Sequence, residues 1–275
     1  MDGLQTGASD VDVEHFVRRY PRGSAEYLHA ALRGVIPGVR RVVFGGTNAD
    51  VDTASVPEDI WGGDGLIPRP AAAESWEIVS SSASDAAAGT GARTVVLTTL
   101  DGNYGEVTQT VTLNGITAVA LAGTHLRINA GRVATAGSNN GAVGTLTIRV
   151  AAAGAARAYI GTEGLLNQAK YTVPAGYSLD LHALVIGVRA SGGTESAVFT
   201  VINHSAAGLR SAAIRFPLFV AGTNVYRHEV AGGRVPINTI TERGETQIRG
   251  TLVTQNNTSL DASAIGLLYQ RPLWP

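Results

Sequence analysis

From about residue 76 onward, apolar and polar positions alternate with the period of two that a half-buried strand requires. Trp76–Ser80 opens the pattern, and Arg93–Leu100 and Glu106–Leu113 follow, rich in Val and Thr. Ile116–Ala120, Thr124–Ala134 and Thr145–Val150 continue it. Turn signals fall between them. Asp101-Gly102-Asn103 is one, and Asn114-Gly115, where both positions tolerate positive φ, is a strong hairpin signal. Ala151–Ala158 reads as a loop or junction. A second run of strands begins with the strand–turn–strand Tyr171–Tyr177. It continues through Ser178–Arg189, Glu195–Ile202, Arg210–Val220, Asn224–Val235, Glu245–Thr254 and Ser259–Tyr269. Short strands with turns every 8–12 residues predict a mainly β chain of antiparallel sandwich or jelly-roll type. The two runs form either two sandwiches or one interleaved sandwich, because strand pairing is non-local.

Residues 1–44 follow a different pattern. Ser9 or Asp10 can cap a helix through Val11–Tyr20, with acids in its first turn and Arg18 and Arg19 at its end, the order the helix dipole favours. Ser24–Leu32 can form a second short helix, ended by Gly34 and Pro37. Residues 45–75 are rich in Gly, Pro and Asp and read as extended arm and turns. The expected organisation is an N-terminal docking arm over 1–70, a first sandwich region over 71–152 and a second over 153–275.

Composition narrows the function. Only 16% of the 275 residues are charged, against about 25% in ordinary soluble domains. That suits a surface partly covered by copies of itself or by a scaffold, and equally an Ala- and Gly-rich composition in which Lys170 is the single lysine. The net charge is −1, so no global basic field exists to hold nucleic acid. Without cysteine, disulfides, Cys-based zinc sites and thiol nucleophiles are excluded. No apolar run reaches the length of a membrane helix, and the N-terminus lacks the apolar core of a secretory signal.

Candidate chemistry is sparse. His15, His29, His125, His182, His204 and His228 show no metal-binding spacing, and His125 and His182 are expected to face outward or accept a local hydrogen bond. No G-x-S-x-G elbow and no P-loop is present. Asp50, Asp52, Glu58, Asp59 and Asp64 could be weighed as glycosidase carboxylates, and Asp50 and Asp52 as calcium ligands, although their spacing does not match an EF-hand loop. Their Gly-rich setting favours solvated turns, or partners for arginines on a neighbouring subunit. We therefore expect no catalytic, metal or cofactor site. Arg18, Arg19, Arg22, Arg33, Arg40 and Arg41 form a basic set suited to docking. Trp61 beside Gly62-Gly63 is either an interface anchor or a residue packed on its own sandwich, and Trp274 is expected in an intra- or intersubunit contact.

DIWGGDG at 59–65, SSSASDAAAGTGARTV at 80–95, LDGNYGEVTQTVTLNG at 100–115 and YTVPAGY at 171–177 occur in an order that resembles a family of tailed-bacteriophage virion structural proteins. An arm over Phe44–Asp52 precedes them. The resemblance spans about residues 40–190. It implies a virion component rather than an enzyme: a capsid-associated decoration, cement or head-fibre subunit, or alternatively a tail or neck fibre or adhesin. It also implies a homo-oligomer, for which trimers are common, and partners among the major capsid or the neck and tail proteins. A host surface glycan is a further partner for the adhesin reading, through loop aromatics such as Tyr104.

Overall fold

The computed structural model describes residues 24–52, 57–189, 194–207, 209–221, 225–231, 238–252 and 258–271. In chain order its elements are α1 (Ala25–Leu32), β1 (Val39–Val51), β2 (Glu58–Asp59), β3 (Trp76–Ser80), β4 (Ala92–Leu100) and β5 (Glu106–Thr112). Next come β6 (Val119–Ala120), β7 (Arg127–Ala136), β8 (Leu146–Val150), β9 (Ala156–Ile160), β10 (Lys170–Thr172) and β11 (Tyr177–Arg189). The last are β12 (Thr194–His204), β13 (Arg210–Ala221), β14 (Val225–Ala231), β15 (Asn238–Ile240), β16 (Glu245–Leu252) and β17 (Thr258–Gln270). The expected mainly β, antiparallel class is what the chain adopts.

Two sandwiches result. In the first, the sheet β6-β3-β8-β9 faces the sheet β5-β4-β7. Trp76, Ile78, Val95, Leu97, Leu146 and Ile160 fill the space between them. In the second, β1-β17-β11-β14, with β15 also on β11, faces β10-β16-β12-β13, with β2 on β16. Phe44, Leu184, Ile186, Phe199, Val201 and Ile248 belong to that core. Burial of these alternating apolar side chains is the main stabilising contribution in both.

The second sandwich includes a segment read above as arm. β1 pairs with β17 from Val39↔Tyr269 to Val51↔Thr258, and β2 pairs with β16. Val39–Val51 and Glu58–Asp59 are thus strands of the C-terminal sheets, and the boundary drawn at residue 70 does not separate an arm from a sandwich. The Gly and Asp residues that suggested loose chain have packing reasons. A Cβ at Gly45 would lie 2.7 Å from the Ser263 side chain, so close strand approach demands glycine there.

The helix over Ser24–Leu32 is borne out. Ser24 caps α1 through its Oγ, which accepts from the Tyr27 N–H at 3.0 Å. Gly34, at φ +71°, closes the end by donating to the Ala31 carbonyl. Tyr27, Ala30 and Ala31 pack against Val39, Leu267 and Tyr269. The helix expected over Val11–Tyr20 lies outside the described residues.

Asn114-Gly115 does not close a hairpin. β5 pairs with β4 while β6 pairs with β3, so the turn carries the chain from one sheet to the other. Gly115 does take the positive φ, +60°. The reason lies outside the turn: Asn114 bridges both Ala86 and Thr117, and the Ser80 N–H donates to the Gly115 carbonyl. Asp101 behaves as its turn signal predicts. Its Oδ1 accepts from the N–H groups of Asn103 and Gly105, both at 2.8 Å, within the β4–β5 hairpin.

Candidate functional site

The most distinctive site is a buried polar layer where the two sandwiches meet. β16 is buried along nearly its whole length, Arg249 and Glu245 included. Alternation explains this: Ile248 and Leu252 point into the C-terminal core, while Glu245, Gln247 and Arg249 point the other way. That outer face is covered by the segment around Ile67–Pro70 and by β7 of the first sandwich, whose Arg127 reaches Glu245 and Pro70.

Glu245 is the hub of the layer. Its Oε2 accepts from Arg127 Nε on β7 at 2.9 Å and from the Thr172 hydroxyl on β10 at 2.8 Å. Its Oε1 lies 2.8 Å from Arg69 Nε. Burial alone would raise its carboxyl; Lys170, Arg69 and Arg127 instead hold it down, to about 2. Arg127 also donates to the Pro70 and Leu126 carbonyls, so its guanidinium ties three segments together. A second pair lies further along β16. Asp59 Oδ1 accepts from Arg249 Nε at 2.6 Å and its Oδ2 accepts from the Ile67 N–H at 2.7 Å. Burial dominates at Asp59 and pushes its carboxyl up despite Arg249. His204 Nδ1 sits 2.6 Å from Arg69, and burial, then Arg69, drives the imidazole down to about 4. Lys170, 3% exposed, is held down by burial against the pull of Glu245 and Asp59.

Backbone and amide contacts seal the same joint. The Asn129 side chain exchanges two hydrogen bonds with the Thr172 backbone. Gln168 Nε2 donates to the Ile128 carbonyl at 2.7 Å. Beside the joint, β1 and β17 on one side and β4 and β7 on the other enclose a groove of about 600 Å³. Val43 and Leu165, 57% and 58% exposed, stand in its walls.

The residues singled out from the sequence scatter. Arg40 pairs with Glu106 across the two sandwiches and lies over the Tyr177 ring at 5.3 Å. Arg41 is exposed on β1, and Arg33 is exposed at the C-cap of α1. Trp61 is 4% exposed and packs at a tilt against the Tyr159 ring of its own chain, 5.4 Å between centroids, so it is packing rather than a free anchor. Arg18, Arg19, Arg22 and Trp274 lie outside the described residues. Asp59, grouped above with solvated turn acids, is fully buried in an intrachain ion pair. Asp50, Asp52, Glu58 and Asp64 do line one depression of about 370 Å³. Within it, Glu58 is spent on Asn48 Nδ2 and the Asp52 N–H. No group of three potential metal ligands occurs among the described residues. His125 does not face outward: it is 1% exposed, shares a hydrogen bond with Thr99 Oγ1 at 3.0 Å and lies at a tilt against the Trp76 ring.

No family model matches the chain, and no curated protein matches it. Among solved structures there is a weak likeness to the infectious bursal disease virus Gx strain, at 11% identity and a TM-score of 0.22, covering 86% of this chain and 73% of that one. The VP2 subviral particle of infectious bursal disease virus gives 10% identity and a TM-score of 0.19, over 84% and 72% of the two chains. A likeness of this size decides neither fold nor function.

Proposed function

We propose that the chain is a structural, non-enzymatic subunit of a tailed-bacteriophage particle, most simply a capsid-associated decoration, cement or head-fibre subunit. The observation that carries this reading is the joint. The two sandwiches are joined by the buried Arg127–Glu245 ion pair and by the reciprocal Asn129–Thr172 hydrogen bonds. Such a build transmits load between two lobes, which is what a subunit lying across a shell does. The motif order at 59–177 resembles virion proteins and supports the same reading. In it, the subunit docks through its basic N-terminal residues and assembles with copies of itself.

The deciding experiment is copy number on purified particles, measured by mass spectrometry against the major capsid protein. One copy per few capsid subunits supports decoration. A few to a few dozen copies per particle moves the subunit to the neck or tail as a fibre or adhesin. Absence from particles overturns the proposal.

A further inference from the structure

β5 is an edge of the sheet β5-β4-β7, and that edge is open. The opposite edge, β7, is covered: the Val133 N–H donates to the Gly164 carbonyl and the Leu166 N–H to the Gly131 carbonyl. On β5 the odd-numbered residues bond to β4. At one end of an unbroken register the Asp101 N–H donates to the Gly105 carbonyl, and at the other the Leu113 N–H donates to the Arg93 carbonyl. The N–H and C=O groups of Thr108, Thr110 and Thr112 therefore point outward, and among the described residues no other strand takes them. All three threonines are exposed. An open edge is ordinarily blunted by basic side chains, a proline or a bulge. β13, an edge of the other sandwich, carries Arg210, Arg215 and Pro217, whereas the one charge on β5 is Glu106, already tied to Arg40. The strand is also symmetric. Reading outward from Gln109 gives Thr108 and Thr110, then Val107 and Val111. Gln109 Oε1 accepts from the Ala122 N–H at 3.0 Å, while its Nε2 is buried without a partner.

We propose that β5 pairs antiparallel with β5 of a second copy of this chain, about a two-fold axis at Gln109. In that register Thr108 of one copy and Thr110 of the other form hydrogen-bonded pairs, closed by their outward N–H and C=O groups. Val107 meets Val111 on the core face. Gln109 meets Gln109 with Cβ atoms about 4.5–5.5 Å apart. The Nε2 of each Gln109 then finds the carboxamide oxygen of the other, since Oε1 keeps a second lone pair beside the Ala122 N–H. A shift of one residue sets the core face of one strand against the outer face of the other, and a shift of two sets Gln109 against a valine. On the outer face Thr98 and Thr108 already share a hydroxyl hydrogen bond, and the pairing extends that row to Thr110 of the second copy. The contact is isologous, so it consumes both open edges and stops at a dimer, and β5 needs no blunting residue. This pairing deepens the self-assembly named in the proposed function and rests on that part of it alone.

The test is sedimentation of the full-length chain at micromolar concentration, where the expected mass is twice 28.4 kDa. Thr110→Pro removes an N–H that β4 does not use, so the β4–β5 ladder survives, and near-ultraviolet circular dichroism checks the fold. Its dimer dissociation constant should rise at least tenfold. Cysteine, which the chain lacks, reads the register separately. Gln109→Cys should give a disulfide-linked dimer on a non-reducing gel, because the two-fold axis brings its Cβ atoms together. Thr112→Cys, which faces Glu106 of the second copy, should not link. A wild-type monomer or trimer overturns the proposal, as does undiminished dimerisation of folded Thr110→Pro. If Thr110→Pro misfolds, the cysteine variants decide: no link in Gln109→Cys, or equal linking in both, overturns the pairing. A monomer in solution that is abundant on particles sinks the pairing and leaves the proposed function standing, and a dimer absent from particles does the reverse.

Discussion

Asn129 and Thr172 pair across the joint as if the asparagine side chain were a strand. Nδ2 donates to the Thr172 carbonyl at 2.7 Å, and the Thr172 N–H donates to Oδ1 at 3.0 Å. Asn129 is on β7 of the first sandwich and Thr172 on β10 of the second, so the pair extends hydrogen bonding from one sandwich into the other. Asn129→Ala orphans a buried donor and a buried acceptor, each worth about 1–3 kcal/mol. The expected loss is about 2–4 kcal/mol by urea denaturation. Asn129→Asp sets a buried carboxylate oxygen against the Thr172 carbonyl, so it should be at least as destabilised as the alanine variant. An alanine variant as stable as wild type sinks this account of the joint.

Much of this architecture is written locally, and the joint is not. β3 spans the five residues that alternation predicts, and β8, β11 and β17 come within a residue or two, because period and turn chemistry are properties of neighbours in the chain. β1 was hidden by Gly45, Gly46 and Asp50, which read as loop until β17 is placed beside them. The ionic layer draws on positions 59, 69, 127, 170, 204, 245 and 249, scattered along nearly two hundred residues of chain. Nothing in their spacing unites them. One signal was available: strand β16 carries Glu, Gln and Arg at alternate positions in a chain poor in charge. Such a stripe is ordinarily a solvated face, and only the packing of β7 against it makes it an interior.

Acid should loosen the joint in two stages. His204 has its folded-state pKa depressed to about 4, so below the ordinary range near 6.5 the unfolded chain binds the proton first. Stability falls from pH 6.5 towards 4. Glu245 has its folded-state pKa depressed to about 2, so its contribution is complete above the ordinary value near 4.5 and disappears as pH falls towards 2. Asp59 acts in the opposite sense, since its raised pKa favours the folded state on protonation, and it softens the second stage. Thermal melting between pH 7 and 2 should therefore show Tm falling through both windows. His204→Asn should make the upper window shallower without abolishing it, because burial lowers the His125 pKa as well. A Tm constant from pH 6.5 to 4 in wild type counts against the buried imidazole.

Asp85 holds the polar loop between β3 and β4. Fully buried, it accepts from the Ser80 hydroxyl at 2.6 Å and from the N–H groups of Ala92, Val143 and Gly144 at 2.8–2.9 Å. Burial opposes its ionisation, but these four donors prevail and hold the carboxyl below its usual value. A Cβ at Gly91 would lie 2.1 Å from Oδ1, so that neighbour must be glycine. Asp85→Ala strands three backbone donors at about 1–3 kcal/mol each, enough to unfold a marginal first sandwich. Loss of the cooperative melting transition, or a Tm lower by roughly 10 °C or more, is expected. Gly91→Ala should follow it in direction. Wild-type melting of Asp85→Ala would show that water serves the loop as well as the carboxylate does.

Docking and stability can be separated at the basic residues of the N-terminal region. Arg33 and Arg41 are exposed, and reversing such surface charges typically changes stability by about 0.5 kcal/mol or less. Arg40 differs, being tied to Glu106 and Tyr177, so it is left intact. The double variant Arg33→Glu/Arg41→Glu should melt within a degree or two of wild type. If these arginines meet acidic groups on a shell, as the proposed function requires, its retention on particles should fall at least tenfold at physiological salt. Wild-type retention should also weaken as ionic strength rises, because exposed charge pairs are screened beyond a Debye length of about 8 Å at 0.15 M salt. Full retention of the variant, with wild-type melting, assigns docking to another surface, and the apolar groove flanked by Val43 and Leu165 becomes the next face to alter.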